Sequence, residues 1–301
     1  MLHMAAALLI AVIFGLNYSV IKLGLGAFDP LLLAGLRFTL CAFPALCFVS
    51  RPRCQPRYVV VYGLAMSLGL WSVLLALRAG LSAGVCALLL QFGALLTVCV
   101  GVLCFGERLT RANLLGCTLA AAGLVMILFV TDGSVTKMGM VYAVLGTGCW
   151  VVANTAVKMS ATTQPFAFVI WSSPVSAVLI FALRAVLKGQ QPLAGLLQDL
   201  HAQSIAALLF TAYLESLLAY GIWSLLLSRY RLAASAPTYL LAPLFSMLFS
   251  HWIFGEPVGS LKAMAAALIA CGVSVNACGS VLYERWLARR SGGRAPGMHG
   301  L

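Results

Sequence analysis

Charge is what this chain has least of. Only 9% of its 301 residues are charged, and just seven residues are acidic, where an ordinary soluble domain is about a quarter charged. With 62% hydrophobic residues and a mean hydropathy of +1.03, the chain has more apolar surface than a soluble protein of this length can hide. An integral membrane protein is expected. Short segments that alternate polar and apolar residues are missing, which excludes a transmembrane β-barrel. The runs are continuous instead, as in MAAALLIAVIFGL and LLGCTLAAAGLVMILFV. No CxxC pair or zinc-spaced Cys/His cluster occurs among the ten cysteines. Cys41, Cys86, Cys104, Cys117 and Cys271 lie in or beside apolar runs and read as small hydrophobes. HExxH, GxSxG and Walker-type loops are absent and the four histidines are dispersed, so neither an enzyme nor a cofactor or metal site is expected. No Lys or Arg precedes Lys22. The first run therefore lacks the basic start of a cleavable signal and is expected to remain as a span.

What the chain does have is a succession of apolar runs. At roughly 20 residues per span, about ten helices are expected, over 4–24, 31–49, 58–77, 83–104, 112–130, 138–157, 166–187, 204–227, 233–254 and 261–282. The joints carry Pro, Gly and charge, as in FDP, RPRCQPR, FGERLTR and TDGSVTK. The net charge of +12 does not point to nucleic acid, because the basic residues are not gathered on an aromatic-interleaved face. They fall between spans. With the N-terminus inside, cytoplasmic joints hold about twelve of them and outer joints about five, with Lys22 and Arg37 inside spans. Both termini are expected in the cytoplasm, and the basic, Gly-rich tail 283–301 is expected to be disordered.

FGERLTRANLLG at Phe105 is echoed by FGEPVGSLKAMA at Phe254. Aligning them sets Gly106 on Gly255, Glu107 on Glu256 and Gly123 on Gly272. In the first span of each half an Asn precedes a Lys, in GLNYSVIK and ANTAVK. The chain thus reads as two five-span repeats, 1–130 and 138–282. An odd number of spans inserts the second repeat upside down, the inverted arrangement of transporters that expose a midplane site alternately to each side. Glu107 and Glu256 then mark opposite faces, where each is expected to help start the helix that follows it.

Polar residues inside spans are the candidates for binding, because each costs a few kcal/mol at mid-bilayer unless it is paired or lines a wet cavity. Glu215 stands mid-span in TAYLESLLAYGIW with no basic residue until Arg229. Desolvation disfavours its charged form, and it is a candidate for coupling to a proton or for meeting a substrate amine. Arg37 and Lys22 are candidates for a substrate carboxylate, or for snorkelling to headgroups. Gln91, Asn17 and Asn154 serve either a substrate or interhelical hydrogen bonds. Trp71, Trp150, Trp171, Tyr220, Trp223 and Tyr239 are either packing or the wall of a cavity. The pairs Gly116/Ala120 and Ala263/Ala267 permit close helix contact, within the chain or across a homodimer seam. Pro237 and Pro243 are expected to kink the ninth span.

The residues also carry a family likeness. FGLNYSVIKLGL, LLAGLRFTLCAFPA, the Gln of LLLQ before FGERL, VIWS at Val169–Ser172 and YGIWSLLLSRY resemble the EamA family of the drug/metabolite transporter superfamily over nearly the whole chain. The nearest likeness is to bacterial amino-acid-metabolite exporters that handle O-acetylserine and cysteine. The resemblance implies ten helices in two EamA repeats, an inner-membrane location and export of small metabolites. It adds weight to Asn17, Lys22, Arg37, Gln91, Glu107, Trp171, Tyr220 and Trp223. The chain departs from the family pattern at Phe14, where Trp is usual, near Ala94, where Pro is usual, and at Glu215, where a small or apolar residue is usual. The expected partners are a small solute and the lipid bilayer. The alternatives are a permease for a sugar, nucleotide or drug, or a membrane scaffold.

Overall fold

The computed structural model describes residues 2–26, 28–105, 111–130, 132–189, 202–219 and 242–290. Among these residues the chain forms ten α-helices and no strand: α1 Leu2–Gly24, α2 Pro30–Ala42, α3 Pro56–Arg78, α4 Ala83–Phe105, α5 Arg111–Ile127, α6 Lys137–Ser160, α7 Pro165–Lys188, α8 Ala202–Leu209, α9 Ala242–Phe254 and α10 Ser260–Arg290. Five stretches, Pro30–Cys47, Pro56–Arg78, Lys137–Ser160, Pro165–Lys188 and Ala202–Ala219, are long and apolar enough to cross a membrane, and Leu8–Gly24, Ala83–Gly93, Arg111–Ile127, Ala242–Phe254 and Ser260–Val275 are shorter apolar helical stretches. The expected eighth and ninth spans run into 220–241, outside the described residues.

The helix starts follow from local chemistry. Asp29 caps α2 by accepting a hydrogen bond from the Leu31 N–H at 2.9 Å, with Pro30 at the first helical position. Thr136 caps α6 by accepting from the Gly139 N–H at 3.2 Å, and Pro56 and Pro165 open α3 and α7. Two boundaries differ from the sequence expectation. The second span was expected to run to 49, but α2 stops at Ala42. Pro44 offers no N–H and disfavours helical backbone at Phe43, so only a 3-10 turn, Ala45–Cys47, follows. At the other end of the chain, residues 283–290 were assigned to a disordered tail, yet they extend α10 to Arg290. ERWLARR holds good helix formers and no Gly or Pro to stop it.

After α8 the backbone widens into a π-helical segment, Phe210–Ala219, with Glu215 at its centre. Such geometry is rare and tends to occur at functional sites.

The packing has an internal correspondence. α1 packs on α9 as α6 packs on α4, α3 packs on α6 and α7 as α8 and its π segment pack on α1 and α2, and α2–α7, α4–α9 and α5–α10 form pairs between the halves. The α5–α10 crossing shows it at residue level. A Cβ on Gly123 would stand 2.8 Å from the Ala265 carbonyl oxygen and 3.2 Å from the Ile269 nitrogen. A Cβ on Gly272 would stand 2.5 Å from the Gly116 carbonyl oxygen and 2.7 Å from the Ala120 nitrogen. One constant offset, the one that superposes the two FGE sequences, relates Gly116 to Ala265, Ala120 to Ile269 and Gly123 to Gly272. The pair Gly116/Ala120 is therefore used inside the chain, whereas Ala263 and Ala267 face outward.

Charge ties the joints together at one end of the bundle. Asp132, between α5 and α6, holds the buried Lys262 of α10 at 2.7 Å and accepts from the Ser134 N–H at 3.0 Å. Asp29 lies 3.5 Å from Arg184 Nε and 3.6 Å from Lys188 at the end of α7.

Two outcomes are expected. Gly272→Ala should lower the melting temperature in detergent, by the equivalent of about 1–3 kcal/mol for an overfilled contact, while Ala263→Leu on the outward side leaves it unchanged. A thermal-shift series compares them. At Asp132, desolvation raises the carboxyl, but the hydrogen bonds from Lys262 and Ser134 and the Lys262 charge outweigh it and hold the group below its usual range. Its contribution to stability is then complete above the ordinary carboxylate range and is lost as pH falls through the lowered value. Thermal shifts between about pH 5 and pH 3 should show this loss in the native chain, and Asp132→Asn should lose correspondingly less.

Candidate functional site

Among the described residues, one buried ion pair lies away from the joints. Arg37 lies in the middle of α2 and Glu215 in the π segment, 178 residues apart in sequence, and Arg37 Nη2 donates to Glu215 Oε2. They are only 6% and 3% exposed. Either charge alone would cost a few kcal/mol at this depth, and removing one partner of such a pair typically costs about 3–5 kcal/mol because the other is stranded. Ser216 adds a donor to the same Oε2 at 3.1 Å.

The pair is not saturated. A guanidinium carries five N–H donors, and among the described residues Arg37 Nε and Nη1 are buried without a hydrogen-bond partner. Around the pair stand other polar groups that the apolar runs concealed. Cys41, one turn along α2 from Arg37, accepts from Ser173 Oγ of α7 at 3.5 Å. Tyr62 of α3 is buried against Phe168 of α7 in an edge-to-face contact of 5.2 Å. Elements of both halves thus converge on one guanidinium–carboxylate centre with spare donors.

The remaining candidates are spread over the molecule. Lys22, in the last turn of α1, is paired with Glu256 at 2.5 Å and lies 4.5 Å above the Phe254 ring. Glu256 was expected to serve the N-terminus of the helix that follows. It turns back instead, to Lys22 and to the Ser250 hydroxyl, and α10 begins only at Ser260. Asn17 is buried with Oδ1 unpartnered among the described residues. Gln91 is the polar member of a shallow crevice between α4, α9 and α10 that includes Leu88, Pro243 and Ile269. Trp71 packs against the main apolar core, and Asn154 is half-buried on α6. Trp171 donates from Nε1 to the Val49 carbonyl at 3.0 Å and carries the Arg51 guanidinium over its ring, so it fastens the joint between α2 and α3. Tyr220, Trp223, Tyr239, Gly106 and Glu107 lie outside the described residues.

The sequence singled out Arg37 and Glu215 separately and missed that they meet. Two opposite charges, one in each half and both in otherwise apolar spans, were the available signal. Ser173, Ser216 and Tyr62 gave none, because in a membrane span they look like filler.

Comparison with known proteins agrees with this architecture. The model of the EamA-like transporter family matches residues 1–129 and again 137–278. A probable amino-acid metabolite efflux pump of Escherichia coli (strain K12) is 34% identical over 280 residues, 91% of this chain and 94% of that protein. The protein of the same description from Salmonella typhimurium is 35% identical over 293 residues, 95% and 97% of the two chains. A solved crystal structure, 23% identical, superposes with a TM-score of 0.63 over 97% of this chain and 99% of its own, a likeness of fold. Apolar helices in two matched blocks, nearly full-length relatives and a shared fold lead to one assignment: the chain is a multi-pass membrane protein and belongs to the EamA-like transporter family.

Proposed function

We propose that this transporter exports small zwitterionic metabolites, amino acids or their close derivatives such as cysteine or O-acetylserine, across a bacterial inner membrane. The carrying observation is the buried Arg37–Glu215 pair with its unpartnered guanidinium N–H groups. A guanidinium and a carboxylate side by side complement the carboxylate and ammonium of an α-amino acid. Arg37 receives the solute carboxylate and Glu215 its ammonium, so one internal ion pair is replaced by two and no charge is left bare in the bilayer. A sugar gives these charges nothing to pair with, and a simple anion would strand Glu215. The descriptions of the two enterobacterial relatives support the same class of solute.

Transport follows an alternating-access cycle in which the two halves, 1–130 and 138–282, act as inverted repeats with both termini in the cytoplasm. The exchangeable packing pattern and the reciprocal Gly123 and Gly272 contacts support the repeat, and the excess of basic residues in alternate joints supports the orientation. Asn17, whose Oδ1 has no partner among the described residues, is assigned as a further polar contact for the solute.

Cells overproducing the protein should release an amino-acid-class solute into the medium, and proteoliposomes should move the same solute. If neither shows movement, export is the wrong reading. Arg37→Met and Glu215→Leu should each lower transport at least about tenfold and destabilise the fold by about 3–5 kcal/mol, while the double variant recovers stability and stays inactive. Amino-acid transport by the double variant would remove the pair from the binding site. Coupling is read separately, from the pH dependence of transport in Glu215→Gln. A profile like that of the native chain assigns Glu215 to binding alone.

A further inference from the structure

Among the described residues the apolar core reaches towards both faces, with its main cluster towards one of them. Its largest cluster of buried residues includes Ile21, Leu32, Leu74, Leu88, Ile127 and Ile180. All lie in the parts of their helices nearer to the face where α1, α3, α5 and α7 end and α2 and α4 begin. Towards the opposite face, a separate described cluster, Tyr62, Ala65, Ala153, Ala156 and Phe168, belongs to α3, α6 and α7 alone. The ion pairs Asp132–Lys262, Asp29–Arg184 and Lys22–Glu256 lace the same face as the large cluster.

Lys22–Glu256 stands over a single close glycine contact, whereas Asp132–Lys262 closes the α5–α10 seam with its two reciprocal ones. α1 and α9 run in the same direction and touch backbone to side chain at Gly15, where a Cβ would stand 2.5 Å from Phe245 Cβ and 2.8 Å from the Ala242 carbonyl oxygen. Seven residues further along α1, about 10 Å, Lys22 reaches across to Glu256. The contact is built from both sides. Gly255, at φ +64°, takes the left-handed turn that glycine favours and sends the chain back towards α1. The Ser250 hydroxyl holds the second carboxylate oxygen of Glu256, and His251 Nδ1 lies 2.8 Å from the Glu256 carbonyl. The Phe254 ring supports the ammonium. Two helices that meet at a bare glycine and are joined again at their ends by charge have the form of a fork with its tips bolted.

We propose that Lys22 and Glu256 are the bolt of a gate: the described conformation is the one shut on this face, and opening the face requires the pair to part while α1 and α9 pivot about Gly15. The inference rests on the alternating-access reading but not on the identity of the solute.

A native thiol reports the event. Cys86, near the start of α4, is fully buried in the core of the shut face and is a free cysteine. The full-length protein in membrane vesicles, with no solute added, is treated with a thiol-reactive maleimide, and modification of Cys86 is followed by peptide mass spectrometry. Lys22→Glu and Glu256→Lys should each raise the Cys86 labelling rate about tenfold, the response to a population shift of about 1.4 kcal/mol. The exchanged double variant, Lys22→Glu with Glu256→Lys, should fall back towards the native rate. Single variants that label at the native rate overturn the proposal. So does a double variant that labels as fast as the singles, which would mark general damage from the foreign side chains and not loss of the pair. Because no solute is present, a failure of the amino-acid assignment leaves this result unaffected, and the reverse also holds.

Discussion

In a medium that does not solvate charge, the guanidinium of Arg37 and the carboxylate of Glu215 have to find each other, and the arrangement of the bundle's centre follows from that need. The pair fixes the depth of α2 against the π segment and leaves donors over, with Cys41 and its Ser173 partner one turn along α2 from it. The same constraint acts at the joints. Asp29, Asp132, Glu215 and Glu256, the acidic residues whose side chains the structure describes, each meet a basic residue on a helix remote in sequence. With so few acids in the chain, each one acts as a specific address as well as a charge. Apolar packing alone would allow many helix arrangements of similar energy. The pairs select among them.

The helices were legible because their periods and stops are local. Proline, glycine and charge punctuate the runs, and the observed starts at Pro30, Pro56 and Pro165 fall where those signals stand. The early end of α2 was also written locally, in Pro44, but it was overridden by the apolar residues that follow. The long α10 went unread for the opposite reason. A charged segment after a span looks like a loop when only hydropathy is weighed, although its residues favour helix.

The site was legible as a set of residues and not as a constellation. Arg37 and Glu215 are separated by six intervening helices, and nothing in either neighbourhood names the other. Lys22 shows the ambiguity well. A cation near a span's outer end suits a solute, a lipid headgroup or a partner, and only the fold shows that Glu256 is within reach. The widening of the backbone around Glu215 has no sequence pattern, because α and π turns use the same residue types and differ in what packs on them.

The α5–α10 seam has a mechanical consequence. Gly123 and Gly272 bring the two backbones together at two levels, with Ile269 and Ala120 packed into the contacts, so the helices are pinned twice and cannot turn about one point as α1 and α9 can about Gly15. Interfaces packed to this density switch between discrete arrangements and do not deform smoothly. Whatever the rest of the bundle does during a cycle, these two helices travel as one rigid post, the fixed upright against which the other helices swing.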